Sequence, residues 1–241
     1  MTLKLLSLET PIVEDLRQDE YPIVLRTWRH EPLTLATAGT HFGYVFEGQA
    51  YLQRGEDQGT LNQCYPLQAG MFFCLPKGGT LSGVGSCGLV ITCLYHHGWF
   101  SLGGPLEAAG RLAYINGGTN SVLIAPPRLG DPCLHGMYLP PDIRQTLHTH
   151  PSYRIGIIVG GSGKVETPQS VNPLQPGDLI VIPANEAHRF YTNADGLTAV
   201  MFHPDSDVGF SHHDNPMLRR TLVDGISAVS LPHLHTPLPE C

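Results

Sequence analysis

Short apolar runs separated by turn residues form the main pattern along the chain. Two examples are 42–53, FGYVFEGQAYLQ, and 155–166, IGIIVGGSGKVE, which combine β-branched and aromatic residues and break at a glycine. The 27 glycines and 21 prolines are spread between such runs, which is typical of short strands joined by tight turns. A helical period persists in few stretches, chiefly 104–113 and 215–223. The pattern therefore predicts an all-β fold with two short helical segments.

These runs recur in the same order, which indicates two copies of one structural unit. The two runs quoted above match in length and in the position of the glycine. Residues 67–81 and 174–188 also match, because each has Leu-Gln, a glycine turn and five strand-like residues ending in proline. Two antiparallel sheets that close over a core are the natural arrangement for each unit. We therefore predict two tandem jelly-roll β-barrels, from residues 1–115 and 116–241.

Composition and charge exclude several classes of function. The net charge is −7 and the lysines and arginines form no cluster, so nucleic acid is not an expected partner. No apolar run approaches the length of a membrane span, and the N-terminal residues become acidic before a signal-peptide core forms. We therefore expect a cytoplasmic protein without a membrane partner. The six cysteines contain no CxxC pair, and we expect buried, reduced thiols.

The histidines are the first indication of a metal site. The chain has 13 of them, more than a domain of this size needs for its structure. His148 and His150 stand one residue apart at the start of an apolar strand. Side chains alternate along a strand, so both rings project to one face, together with Arg154 if the strand extends past Pro151. Two such imidazoles can share a first-row metal with a third ligand from another strand, and His188 is the candidate for it.

The residues around these histidines resemble the two sequence motifs of the cupin superfamily. The stretch 148–163, HTHPSYRIGIIVGGSG, is similar to the first motif, and 176–193, PGDLIVIPANEAHRFYTN, is similar to the second. Through the internal repeat, the resemblance extends over most of the chain and implies a bicupin. It also implies a small barrel whose interior holds a divalent metal, with His148, His150 and His188 as its ligands.

The chain departs from the cupin pattern at two places in the first motif and at two in the second. Arg154 stands where the first motif has a glutamate ligand, and Pro151 directly follows the histidines. In the second motif, Asn185 lies in the turn that would hold a glycine, and Asn193 stands one place beyond the usual asparagine. Without the carboxylate, three neutral imidazoles leave the metal its full charge of +2.

Arg154 has two interpretations at this point. A guanidinium beside the metal is favourable if a substrate anion lies between the two cations. Alternatively, Arg154 turns to the surface and pairs with an acid there. Further along the chain, Phe190 and Thr192 share the strand face of His188 and are expected to line the barrel, whereas Tyr153 is expected on the opposite face.

The first unit lacks the ligand pattern. Alignment of the repeats places Leu35, Thr37 and Leu81 at the positions of the three histidines, and His41 at the position of Arg154. We therefore expect a metal-free N-terminal barrel that serves as a structural or dimerisation partner. The His- and Asp-rich segment 202–217 is interpreted as a solvated connection, with a second metal site or a lid over the barrel as alternatives.

The resemblance implies a function class, although cupins have many functions. The expected function is that of a metal-dependent enzyme of dioxygenase type that acts on a small anionic organic molecule. Iron is the expected metal, with manganese, nickel, copper and zinc as alternatives. A metal-dependent isomerase or lyase, or a cupin that binds a small ligand without catalysis, are the alternative functions. A homodimer is the expected assembly.

Overall fold

The computed structural model describes residues 2–8, 13–55, 63–211 and 214–237, and it confirms the all-β fold. Strands of the first half are β1 (Lys4–Ser7), β2 (Val13–Leu16), β3 (Ile23–Arg29), β4 (Leu33–Leu35), β5 (Thr40–Glu47), β6 (Gln49–Arg54), β7 (Cys64–Gln68), β8 (Phe72–Pro76), β9 (Gly79–Ser82), β10 (Cys87–Cys93) and β11 (Ser101–Gly103). Strands of the second half are β12 (Leu112–Ala113), β13 (Thr119–Ile124), β14 (Cys133–Leu139), β15 (Arg154–Glu166), β16 (Val171–Leu174), β17 (Asp178–Ile182), β18 (Arg189–His203), β19 (Leu222–Val223) and β20 (Ile226–Ser227). The helical elements in the described ranges are α1 (Pro216–Arg220) and three 3-10 turns (Ile115–Gly117, Ala228–Ser230 and Pro232–Leu234).

The first barrel consists of two antiparallel sheets. One has the strand order β11-β8-β5-β10-β3-β2 and the other the order β4-β9-β6-β7. A compact apolar core fills the space between them, because each strand directs alternate side chains inward. The largest contributors to this core are Trp28, Leu52, Phe73, Leu75 and Leu81.

The second barrel is built from one curled sheet with the strand order β1-β17-β15-β18-β14-β13-β12, and β16 is added beside β15. The first strand of the chain belongs to this sheet, since Lys4 pairs with Val181 and Ser7 with Asp178. Strand β12 pairs with β13 in the same way. Two short strands from the first 115 residues therefore complete the second barrel, and the division at residue 115 stays a prediction.

A third core lies between the barrels and joins them. The six-stranded sheet of the first barrel packs its outer face on the curled sheet of the second, and Phe42 meets Phe202 with ring centroids 5.4 Å apart. Every residue of β10 is buried for this reason, and the middle of β5 is buried as well. Strands in a sheet that is covered on both faces have largely apolar sequences, and β10 and β5 have such sequences.

Glycines set the bends that close both barrels. Gly48 and Gly161, the matched glycines of the repeat, have φ angles of 77° and 72°. A Cβ atom on either one would lie 2.1 Å from a carbonyl oxygen, that of Gly85 or of Gly196. Near Gly161 the pairing of β15 with β18 shifts register twice, which lets both long strands bend around the barrel. The two units thus share the same backbone conformation at this glycine.

The predicted helix at 104–113 is wrong. The backbone N–H groups of Gly110 and Arg111 donate to the side-chain oxygens of Thr119 and Ser121, so they cannot join a helical ladder. The prediction for 215–223 holds only for α1, which begins after Asn215, whose side chain accepts a hydrogen bond from the Met217 N–H. The rest of that segment forms the hairpin of β19 and β20.

The expectation of buried thiols needs one correction. Cys74, Cys87, Cys93 and Cys133 are buried free cysteines, as expected, but Cys64 is exposed. Its strand, β7, is at the edge of the four-stranded sheet and directs this side chain to solvent. Cys241 lies outside the described residues.

No helix in the described ranges is long and apolar enough to cross a lipid bilayer.

The glycine geometry gives a testable prediction for Gly161→Ala. Both the left-handed backbone and the contact with the Gly196 carbonyl oppose a methyl group, so we expect a loss of about 2 kcal/mol or more in the free energy of unfolding. Gly160→Ala is the matched control, because a Cβ there meets only Thr198 at 3.9 Å. Urea denaturation compares the two variants. Equal midpoints would contradict this account of the bend.

Candidate metal centre

A short backbone pairing brings the ends of two chain segments together at the mouth of the second barrel. His148 precedes β15, and His188 precedes β18. The His148 N–H donates to the His188 carbonyl at 3.0 Å, and the His188 N–H donates to the His148 carbonyl at 2.9 Å. This isolated antiparallel bridge places the two side chains next to each other.

The three predicted ligands converge at this bridge. Ring centroids are 4.6 Å apart for His148 and His188, 5.1 Å for His148 and His150, and 5.3 Å for His150 and His188. Each ring offers a nitrogen, and these nitrogens all lie within 4.8 Å of one another. Such a spacing fits three ligands of one tetrahedral or octahedral ion.

Hydrogen bonds fix the tautomer of two of the rings. The Nδ1–H of His148 donates to the Thr146 carbonyl at 2.8 Å, and the Nδ1–H of His188 donates to the Glu186 carbonyl at 2.8 Å. Because a carbonyl only accepts, Nδ1 carries the proton in both rings and Nε2 keeps its lone pair. Backbone carbonyls commonly orient metal-binding histidines in this way.

The electrostatics of the site also favour neutral rings. Burial lowers the pKa of His188 to about 4 and that of His150 to about 3. The positive charge of Arg154 is a smaller contribution to these two lowered pKa values. At neutral pH these two imidazoles are unprotonated, which is the form that binds metals.

Asn185 lies in the turn where the cupin motif has a glycine, and it adopts a backbone conformation that suits that turn. Asn185 has a φ of 60°, a left-handed conformation that glycine and asparagine adopt most readily. Its N–H donates to the His150 carbonyl at 2.7 Å, so the turn also holds the second ligand in place. Asn193 lies away from the histidines, and its amide donates to the Ser162 hydroxyl.

A cavity of about 430 Å³ opens beside the three histidines. Phe190 lines it as expected, together with apolar side chains of Ile182 and Met201 and the amide of Gln145. The remaining lining residues are Tyr114, Ile115, Asn120, His135, Met137, Thr149, Arg154, His203 and Asp207. Most of the surface that lines the cavity is apolar, although many of its residues also carry a polar or ionisable group, a mixture that is found in small-ligand sites.

Arg154 combines features of both interpretations made from the sequence. It lines the cavity and is only 4% exposed, yet it also pairs with Asp205 at 3.4 Å. Its Nη1 donates to the carbonyls of Ser152 and Tyr153 and to the Ser152 hydroxyl. The Nε–H has no partner in the described part of the chain. The guanidinium is thus held in place from one side and carries an unused donor.

Thr192 does not line the cavity, which corrects the expectation from strand parity. Its hydroxyl donates to the Pro140 carbonyl at 2.6 Å and accepts from the Ile143 N–H at 2.9 Å. The segment before His148 runs along β18 at this point and covers Thr192. Tyr153 faces the other way, as expected, and its hydroxyl donates to the Tyr21 carbonyl in the first unit.

In the first barrel, two of the three corresponding positions are core leucines, and the third, Thr37, is exposed. Leu35 and Leu81 are 3% and 0% exposed and belong to the central core. His41 is buried, with its ring nitrogens 2.9 Å from the Thr92 hydroxyl and from the Ala36 carbonyl. Both groups of three metal-ligating side chains found in the described ranges lie in the second barrel.

The second of these groups was missed by the sequence analysis. It consists of Cys133, His135 and His203, whose ligand atoms also lie within 4.8 Å of one another. The spacing of Cys133 and His135 in one strand was a usable signal, and the segment 202–217 that contains His203 was considered as a second metal site, but nothing in the sequence connects His203 with Cys133 and His135. This histidine ends β18 within the His- and Asp-rich segment 202–217, of which His212 and His213 lie outside the described residues.

Comparisons with known proteins show what the chain is similar to. Residues 136–204 match the cupin domain family, a segment that contains all three converging histidines. No curated protein sequence matches the chain. Among solved structures, a cupin 2 conserved barrel domain protein from Leptotrichia buccalis matches with a TM-score of 0.60 at 15% identity, over 84% of this chain and 96% of that one.

Two further structural matches have different descriptions. A mutant of salicylate 1,2-dioxygenase from Pseudoaminobacter salicylatoxidans matches with a TM-score of 0.56 at 10% identity, over 76% of this chain and 70% of that one. An 11S globulin from Wrightia tinctoria, described with an auxin binding site, matches with a TM-score of 0.58 at 11% identity, over 86% and 84%. At these identities the likeness shows the fold alone.

Proposed function

We propose that the second barrel, in which residues 136–204 match the cupin domain family, is a metal-dependent enzyme of dioxygenase type that acts on a small carboxylic acid. The observation that carries the proposal is the convergence of His148, His150 and His188 beside a cavity that also contains a buried arginine. The likeness to a dioxygenase and to a small-molecule-binding globulin supports a small-molecule partner. The homodimer and the cytoplasmic location remain predictions.

The donor set fits a divalent first-row ion. Imidazole suits iron as well as copper, nickel and zinc, and three neutral ligands leave the ion its charge and open coordination positions. When bound, iron supplies a redox-active Lewis acid at the cavity wall. The backbone carbonyls of Thr146 and Glu186 hold two of the rings in the tautomer that this role requires.

Arg154 is proposed to bind the carboxylate of the substrate. A buried N–H without a partner costs free energy, and an acceptor from the substrate would offset that cost. Ser152 and Asp205 hold the other side of the guanidinium, so its position is set before the substrate arrives. Asp205 also compensates part of the charge, which reduces repulsion between Arg154 and a cation at the histidines.

The rest of the cavity sets the size and polarity of the substrate. Phe190, Ile182 and Met201 provide apolar walls, so the part of the molecule beyond its carboxylate is expected to be apolar. Gln145 is 1% exposed, and its amide nitrogen has no partner among the described residues. This amide is a second donor, placed to bind a carbonyl or hydroxyl oxygen of the substrate.

A cupin that binds a small acid without catalysis is the second candidate function, and the likeness to the 11S globulin favours it. Both functions use the same cavity, but only the enzyme converts the bound acid with dioxygen. Consumption of dioxygen therefore separates them.

The metal site predicts the effect of His188→Ala. We expect the iron content after anaerobic loading and desalting to fall at least tenfold, because the variant loses one of three ligands. His41→Gln is the control, since it replaces a buried histidine of the first barrel and should leave the iron content unchanged. Stoichiometric iron in His188→Ala would show that these histidines are not the ligand set.

The substrate class predicts the effect of Arg154→Met. With a panel of small hydroxy, keto and aromatic acids, the iron-loaded protein should consume dioxygen with at least one member. The variant should keep its iron and bind that acid about 10- to 100-fold more weakly, the effect of one charged hydrogen bond. Binding is measured by calorimetry.

Two further variants complete this experiment. Arg144→Met is the control, because Arg144 is exposed and lies over the Tyr191 ring. If Arg154→Met alone unfolds, the double variant with Arg154→Met and Asp205→Asn replaces it, because it removes both charges of the ion pair together. Tight binding without dioxygen consumption would favour the non-catalytic function, and turnover without dioxygen would favour an isomerase or lyase. Unchanged affinity in Arg154→Met would contradict the role of Arg154.

A further inference from the structure

A second group of metal-ligating side chains lies on two paired strands of the same barrel. Cys133 and His135 stand two residues apart on β14 and so share one face. His203 on β18 is the cross-strand partner of Cys133. The Cys133 Sγ lies 3.1 Å from the His135 Nε2, and the rings of His135 and His203 stack with centroids 4.5 Å apart. This group has no residue in common with the three histidines described above.

We propose that Cys133, His135 and His203 form a second metal site, which takes a thiophilic ion and prefers Cu(I) to Zn(II). Sulfur and imidazole donors are those that Cu(I) and zinc select, whereas calcium, magnesium and manganese select oxygen. Cys133 is 0% exposed and His135 is 7% exposed, whereas His203 is half-buried, so two of the three donors lie in the wall of the barrel and away from bulk water.

The hydrogen bonds around His135 are compatible with this role. The side-chain amide nitrogen of Asn120 lies 3.2 Å from the His135 Nδ1, an orientation in which the amide donates to the ring. A flip of this amide brings its oxygen toward the ring, where it accepts the Nδ1–H and leaves the Nε2 lone pair toward Cys133 and the ion. Burial raises the pKa of the Cys133 thiol to about 12. Binding of an ion therefore replaces the thiol proton, which is released to solvent.

Two thioethers add soft donors nearby. Met201 is the cross-strand partner of His135, and Met137 follows His135 by two residues on the same face. Both methionines line the cavity that His135 and His203 also line. Directly opposed residues of a sheet have Cβ atoms about 5 Å apart, within reach of a long, flexible thioether. A weak sulfur ligand of this kind favours copper over zinc.

The local charge favours a monovalent ion. Arg154 lines the same cavity as His135 and His203, so its positive charge opposes a cation at these residues. A thiolate with Cu(I) is neutral, whereas a thiolate with Zn(II) leaves a net charge of +1 beside that guanidinium. The negative charges of Asp205 and Asp207 act in the opposite direction to that of Arg154. A monovalent ion bound to the thiolate adds no net charge and therefore needs no such compensation.

Cobalt(II) is a suitable first probe, because a thiolate ligand gives it a charge-transfer band in the near ultraviolet that imidazole ligands alone do not give. The protein should carry Cys64→Ser and Cys241→Ser, so that neither the exposed Cys64 thiol nor the Cys241 thiol can bind cobalt and contribute to this band. We expect two cobalt ions per chain and a thiolate band. One equivalent of Cu(I) should remove the band, whereas one equivalent of Zn(II) should remove less of it.

Three variants assign the band. In Cys133→Ser, which keeps the side-chain size, the band should disappear and the cobalt content should halve. In Cys93→Ala, the matched loss of a buried thiol in the first barrel, both should remain. In His188→Ala the band should also remain, since that variant removes a ligand of the other site. A band that survives Cys133→Ser, or one that is lost in His188→Ala, would overturn the proposal of a separate site, and retention of the band with Cu(I) would overturn the preference for copper.

Discussion

The packing of one sheet from each barrel against the other is the interaction on which the rest of the structure depends. The core between the sheets contains large side chains such as Phe42, Ile91, Ile157 and Phe202, all at most 1% exposed. Each such side chain contributes about 1.5–3 kcal/mol on burial. Because the central strands are covered on both faces, their register is fixed, since a slip of one residue would exchange the two faces. The second barrel, which carries the histidines, is therefore held in place by the first barrel. The first barrel has buried leucines, Leu35 and Leu81, at two of the positions that match the histidines.

The candidate metal centre depends on that rigid frame. Strands β15 and β18 run antiparallel, and the backbone bridge between His148 and His188 joins the segments that precede them. The bridge sets the distance between two rings, backbone carbonyls set their tautomers, and burial keeps His150 and His188 neutral. Arg154 is the first residue of β15, so the strand that comes after two of the ligands also places the proposed carboxylate-binding group. Few degrees of freedom remain to be ordered when a ligand binds.

The sequence predicted the local features well and the long-range ones only in part. The duplicated pattern identified Gly48 and Gly161, and strand alternation identified the pair His148 and His150, because both are properties of short segments. Cys133 and His203 were not recognised together, since 70 positions separate them and only the register of β14 with β18 brings them into contact. Thr192 was placed in the cavity by parity, but a neighbouring segment covers it. The 104–113 segment has a helical period, yet side chains of β13 take the hydrogen bonds that a helix would need.

Crystals of the iron-loaded protein, with anomalous diffraction recorded at the iron edge, test the central claim most directly. The account predicts one strong peak about 2.1 Å from the Nε2 atoms of His148, His150 and His188, on the side of the cavity, and none in the first barrel. A peak that lies elsewhere, or the absence of any peak in protein shown to contain iron, would contradict it.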